Sequence, residues 1–282
     1  EHRLAFASEI KGLLEFPGVS PVVGREGLCE LFGLGPARTP GCGVFQGIRE
    51  LRPGHMAVFD RLGFREIPYF DLEAQPHEES YPETVEHVRA LLLDTVERQL
   101  ASDVPLCTFL SGGLDSSVVT AIAAQKLRER GERLSTYSFE FEGNQEFFTP
   151  SSFQPDRDED WARRVSSLLD TDHTSLLCSN RQLAASLQSA VIAKDLPGMA
   201  DIDGSLLYFC QLVKQRHTVV LCGECADEIF GGYPWFHRRE MFDGRHFPWS
   251  NNLDQRRGLL KPELQEALGL EEYVAQRLEE SL

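Results

Sequence analysis

Long apolar runs are missing from this 282-residue chain. None reaches the ~18 consecutive apolar residues that a membrane span needs, so no transmembrane helix is expected. No secretory signal peptide is recognisable. Basic residues are scarce: 28 Lys and Arg stand against 44 Asp and Glu, a net charge of −16. A nucleic-acid partner wants a basic stripe, so none is expected. The acids are spread along the chain, as on a solvated surface, and form no tail. Cys222-Gly223-Glu224-Cys225 reads as CxxC, but no second pair and no paired histidines follow at ligand spacing. That argues against zinc. The seven cysteines are an odd set scattered through apolar segments. Such usage suits buried thiols in a reducing compartment, and a cytoplasmic location is expected.

What is present is a turn suited to anions. The apolar run Val104–Leu110 leads into Ser111-Gly112-Gly113-Leu114-Asp115-Ser116-Ser117, and a helical pattern, Val118–Ala124, follows. Strand, glycine turn and helix start together aim backbone N–H groups and the positive helix end at one point. Glycine lets an anion approach the backbone, and the hydroxyls of Ser111, Ser116 and Ser117 add donors. The expected ligand is phosphate. A Walker A loop would carry Lys-Ser/Thr at the helix start; this one carries Asp115. An acid inside a phosphate cradle implies Mg²⁺ between it and the phosphate oxygens.

Strand-like runs at 104–110, 134–141, 173–178 and 218–222 alternate with helical segments near 116–129, 158–170, 180–194 and 204–216. That alternation predicts an α/β fold, a parallel sheet with helices on both faces. A helix is expected from the spacing of Val85, Val88, Leu92, Val96 and Leu100. Residues 56–60 and 64–68 read as a hairpin, and Glu73–Ser80 as a polar linker. The division predicted is residues 1–75 and 76–282. Ligands in such sheets bind at the carboxyl ends of strands. Two motifs lie there: Ser111–Ser117, and Cys222-Gly223-Glu224-Cys225-Ala226-Asp227-Glu228-Ile229-Phe230-Gly231-Gly232-Tyr233. On residue chemistry, Asp115 and Asp227 are the candidate Mg²⁺ ligands, with Asp227 alternatively a helix N-cap and Glu224 alternatively a solvated turn carboxylate. Asp156, Asp158 and Asp160 read as helix-start acids, and His173 as structural.

Ser111–Ser117 resembles the pyrophosphatase loop of the N-type ATP pyrophosphatases. Cys222–Tyr233 resembles the Ser-Gly-Glu-Gly-x-Asp-Glu-x-Phe-Gly-Gly-Tyr signature of asparagine synthetases within that group. Phe6–Leu14 resembles the last strand and helix of a glutaminase domain. The resemblance implies the C-terminal part of an Ntn-type glutaminase domain, then a PP-loop, adenine nucleotide alpha hydrolase-like domain. It implies ATP as a ligand and glutamine-dependent amidation of aspartate through an acyl-adenylate. In those terms the pyrophosphate end of ATP rests in Ser111, Gly112, Gly113, Leu114, Asp115, Ser116 and Ser117. The backbone at Leu110, Phe141, Cys222 and Gly223 holds adenine and ribose. Glu224 supports formation of the acyl-adenylate, and Asp227 acts beside it. The glutaminase cysteine is expected upstream of Glu1 and a synthetase lysine beyond Leu282, so that residues 1–282 alone bind Mg·ATP weakly and turn over poorly. The partners implied are small molecules (ATP, aspartate, glutamine or ammonia), with a homodimer left open. Two departures stand out: Cys222 replaces Ser, and Asp195–Ser205, the stretch matching the amino-acid pocket, carries no Arg. They leave open a β-lactam-synthetase-like or macrocycle-forming ligase, an amidotransferase for another carboxylate, or a dead regulatory homologue.

Overall fold

Four short β-branched and aromatic runs, Leu106–Phe109 (β3), Ser135–Phe141 (β4), Asp172–Cys178 (β5) and Val219–Leu221 (β6), form one sheet in the order β5-β4-β3-β6. Every pairing is parallel, with Thr108 opposite Thr136, Cys107 opposite Val220, and Ser138 opposite Ser175. The earlier hairpin pairs His55–Asp60 (β1) with Gly63–Pro68 (β2), antiparallel. The computed structural model describes residues 3–150, 156–241, 246–250 and 252–281.

Parallel strands need covered faces, and both are covered. On one side Val96 and Leu100 meet Ile122, Ala123 and Ala124 of the helix Leu114–Glu129, together with Leu134 and Leu221. On the other, Cys107 and Tyr137 pack with Val213 of the helix Ala200–Val213. Alternation along β3 makes this possible, because Thr108 turns to the first face and bonds Thr120 at 3.0 Å, both fully buried. Burying a residue such as Leu134 contributes about 1.5–3 kcal/mol. This is the α/β architecture expected from the alternating pattern.

Two helices begin earlier than periodicity suggests. Tyr81–Gln99 starts at Ser80, whose backbone N–H donates to the Glu83 carboxylate at 2.9 Å, with Pro82 in the first turn. Ala200–Val213 starts four residues before 204, because Asp201 and Asp203 sit in a first turn where the helix dipole favours acids. Among the described residues no helix is long and apolar enough to cross a membrane.

The chain divides into two compact units that interleave in sequence. One takes residues 1–75, 191–199 and 234–282; the other takes 76–190 and 200–233. In the first, Cys29 and Leu34 pack with Leu253, Leu268, Leu270 and Val274. Its Glu30, fully buried, accepts hydrogen bonds from the Thr39 backbone, the Thr39 hydroxyl and the Tyr273 hydroxyl. The second unit holds the parallel sheet.

Candidate functional site

In the order β5-β4-β3-β6, chain direction across the sheet reverses between β3 and β6. A crevice opens at the carboxyl ends of strands at such a switch point. The Ser111–Ser117 loop leaves β3 there, and the segment from Cys222 leaves β6.

The first loop is held by its own hydroxyls. Ser111 N–H donates to Ser116 Oγ at 3.2 Å, and the two Oγ atoms lie 2.9 Å apart. Gly113 N–H donates to Ser111 Oγ at 3.3 Å, and Ser116 Oγ to the Gly113 carbonyl at 3.2 Å. Gly112 has φ +87, and a Cβ there would stand 2.4 Å from Trp161 Cβ and 2.6 Å from Ala162 N. Only glycine fits that conformation beside the helix Asp158–Leu169. Gly113 caps the helix Leu114–Glu129 in an extended conformation, which turns the first-turn amides outward. The Ser117 hydroxyl is buried with no hydrogen-bond partner. A buried donor left over at a helix start suits an anion.

The second segment is pressed against the first. A Cβ on Gly223 would stand 2.7 Å from Ser116 N and 2.8 Å from the Asp115 carbonyl carbon. That contact joins two motifs about a hundred residues apart. The short helix Ala226–Phe230 has Cys225, not Asp227, at its N-cap, so the capping alternative for Asp227 falls away.

A cavity of about 440 Å³ lies over this junction, within the usual range of small-molecule sites. Of the residues expected from sequence, Leu110, Ser111, Gly113, Asp115, Ser116, Phe141, Cys222, Gly223 and Glu224 line it. Gly112, Leu114, Ser117 and Asp227 do not; Gly112 packs away from it and Leu114 is 79% exposed. Asp227 still bears on the site. Burial, and then the charge of Asp227, push the Asp115 carboxyl above its ordinary 3.8.

Sequence reasoning finds only part of the apolar wall: Phe141 is expected and Ile202 and Ser205 lie in the expected pocket stretch, but Tyr137, Phe139, Leu206 and Phe209 are missed. Tyr137, Phe139 and Phe141 line the cavity at alternate residues of β4, with the four helix residues opposite, at helical spacing. Phe139 stacks on Phe209 with centroids 4.2 Å apart and planes 5° apart, and Phe141 meets Phe209 edge-on at 5.9 Å. Both periods are visible in the sequence; which face meets the site is not.

Among the described residues the charged ones lining it are Asp115, Asp158 and Glu224, with no Lys or Arg. An acidic cavity holding a polyphosphate needs a cation between the charges. Among the described residues no group of three or more His, Cys, Asp or Glu stands ready to hold a metal alone. Asp115 and Asp227, whose charges act on one another, would suit a cation shared with a bound anion.

The Asparagine synthase family model matches residues 87–282, and the Glutamine amidotransferase domain model matches residues 1–70. Asparagine synthetase [glutamine-hydrolyzing] 3 of Bacillus subtilis is 48% identical over 98% of this chain and 45% of its own length. Amidase chyE of Penicillium rubens is 34% identical over 86% of the chain and 37% of its own. Asparagine synthetase [glutamine-hydrolyzing] 1 of Bacillus subtilis is 34% identical over 58% of the chain and 24% of its own. The chain spans less than half the length of each of these curated relatives.

Proposed function

Since the chain belongs to the asparagine synthase family, we propose that it carries the ATP-dependent half of a glutamine-dependent carbon–nitrogen ligase making asparagine from aspartate. Residues 1–75 are the end of a glutaminase domain and 76–282 the synthetase domain, which the two family matches support. The reading rests most on one observation, the close fit of Gly223 onto Asp115 and Ser116 at the β3/β6 switch point.

The pyrophosphate end of ATP lies on the outward amides of the helix start and on the hydroxyls of Ser111, Ser116 and Ser117. Adenine and ribose lie toward Leu110, Phe141, Cys222 and Gly223. Asp115 and Asp227 would hold Mg²⁺, which would supply positive charge against the phosphates. The substrate carboxylate attacks the α-phosphorus, the α–β bridging bond breaks, and pyrophosphate departs. Backbone donors of the loop are already aimed at the charge that develops on the leaving group, so little reorganisation is needed. Glu224 lines the same cavity and supports formation of the acyl-adenylate. Ammonia then attacks the acyl carbon and AMP leaves, giving the amide.

A second reading keeps this chemistry and changes the acceptor. Among the described residues, none lining the cavity is a cation to pair with the second carboxylate of aspartate, as a buried acid requires. Supplying Mg·ATP, ammonia and aspartate and identifying the nucleotide product separates the readings. AMP and pyrophosphate that depend on aspartate support the first. AMP with a different carboxylate supports the second. ADP, or no nucleotide binding, overturns both.

A further inference from the structure

The segment after β6 departs from its signature most visibly at two residues, and both are cysteine: Cys222 where the signature has Ser, Cys225 where it has Gly. The sequence alone gives this pair no redox setting; the structure adds exposure and a left-handed turn. Cys29, Cys107 and Cys178 are buried, whereas Cys222 and Cys225 are both exposed. Cys225 adopts φ 72, ψ 0, a left-handed conformation that favours glycine. The chain doubles back between the two thiols, with Ala226 N–H donating to the Gly223 carbonyl at 3.4 Å. Between them lies Glu224, whose Oε2 is 3.9 Å from Cys222 Sγ, and Cys222 itself lines the cavity.

We propose that Cys222 and Cys225 form a reversible redox modification site, a dithiol oxidised by small disulfides, whose oxidation takes the nucleotide site apart. One thiolate attacks the S–S bond of the oxidant, giving a mixed disulfide and releasing one thiol. The second cysteine attacks the protein sulfur of that mixed disulfide, the Cys222–Cys225 bond forms, and a second thiol leaves. The two cysteine protons end on the released thiols, and the oxidant takes two electrons. Disulfides inside reducing compartments are typically transient and sensing, which fits an exposed pair.

The bond holds the two Cα atoms at about 4.4–6.8 Å and so constrains the Gly223 and Glu224 peptide units between them. Gly223 has no slack for this, since it already fits against Ser116 and Asp115. In the oxidised form proposed here, any shift of those peptide units opens the contact of Gly223 with the loop. The loss of nucleotide rests on the function proposed above; the chemistry of the thiol pair does not.

The test treats the full chain with glutathione disulfide, blocks remaining thiols, and maps peptides by mass, with Mg·ATP affinity measured in parallel. The expected result is an internal Cys222–Cys225 link, reversed by dithiothreitol, with affinity at least about tenfold weaker while it lasts. Cys225→Gly, which suits the local backbone, forms no internal link and holds any glutathione as an unresolved adduct on Cys222; Cys225→Ser separates the thiol from the backbone effect. Both thiols still free, a lasting adduct on one of them, or pairing with the exposed Cys210 would overturn the site. A link that leaves affinity unchanged would overturn its coupling to the nucleotide. A chain that binds no ATP even when reduced would sink the proposed function, while the mass map still decides the thiol pair.

Discussion

Asp115 and Glu159 occupy the same place in two helices and meet opposite surroundings. Each is the second residue of its helix, Leu114–Glu129 and Asp158–Leu169, where the dipole favours a negative charge. Burial pushes the Glu159 carboxyl up, but hydrogen bonds from Arg163, Ser138 and Ser175 outweigh it and hold the group below its ordinary 4.5. Those donors lie at 2.6, 2.8 and 3.0 Å. Asp115 has burial, then Asp227, against it, and rises. The helix start alone therefore does not settle a carboxylate; its partners do. The acid with donors is scaffold, and the acid beside another acid is left with a repulsion that the proposed cation would relieve.

The largest expected effect tests Asp115. Asp115→Asn removes a ligand charge, and AMP formation should fall by about a hundredfold or more. Without ligand the same change relieves repulsion, so the denaturant midpoint should hold or rise at neutral pH. The sign follows from the raised pKa: a carboxyl raised above 3.8 in the fold favours folding at low pH, and that advantage is lost as pH rises through its folded value. AMP formation that survives the substitution would break the contrast at its functional end.

Glu159→Ala should do the reverse. It removes the shared acceptor of Ser138, Ser175 and Arg163 and leaves the buried Ser138 hydroxyl with His173 Nε2 alone, at a cost on the order of 3 kcal/mol. Urea titration should show the loss, with Mg·ATP affinity falling only as far as the fold does. Affinity lost at unchanged stability would make Glu159 part of the site and erase the distinction.

How far the sequence reveals this differs between the two acids. Ser111–Ser117 is legible because strand, glycine turn and helix are contiguous, and Asp115 is conspicuous where a lysine would be expected. The four strands and the hairpin are legible from alternation. Glu159 goes unremarked between Asp158 and Asp160, two of the acids read as a helix start, because its partners Ser138 and Ser175 are 21 and 16 residues away. The apolar wall is half legible: Tyr137, Phe139 and Phe141 show the period of a strand, but their meeting with Phe209 depends on sheet order. The contact of Gly223 with Ser116 spans more than a hundred residues and has no local signal.

That contact gives a smaller, sharper test. Gly223→Ala places a Cβ under 3 Å from backbone atoms of Asp115 and Ser116, which cannot swing aside as side chains can. About a tenfold loss of Mg·ATP affinity is expected, roughly 1.4 kcal/mol, with a near-normal denaturant midpoint, since the two loops lie at a partly open rim. Equal loss of stability and affinity would mean that the contact holds the sheet rather than the site.

The smallest effect concerns the scaffold around Glu159. His173 sits on β5 with Nδ1 2.8 Å from Thr136 Oγ1 and Nε2 3.1 Å from Ser138 Oγ. Burial lowers its pKa from 6.5; Glu159 opposes that shift and Arg163 adds to it. The folded ring thus resists a proton that the unfolded chain accepts. Its contribution to stability is complete above pH 6.5 and declines as pH falls from 6.5 toward the lower folded value. His217 is lowered as well, so wild type alone cannot assign the decline. The difference between wild type and His173→Gln, followed by denaturant midpoint from pH 7 to 5, isolates it, because glutamine can offer one donor and one acceptor without titrating. Convergence of the two curves as pH falls is the expected result. Parallel curves would mean that protonated His173 is accepted beside Glu159, and that the partnered acid also serves as a counter-ion.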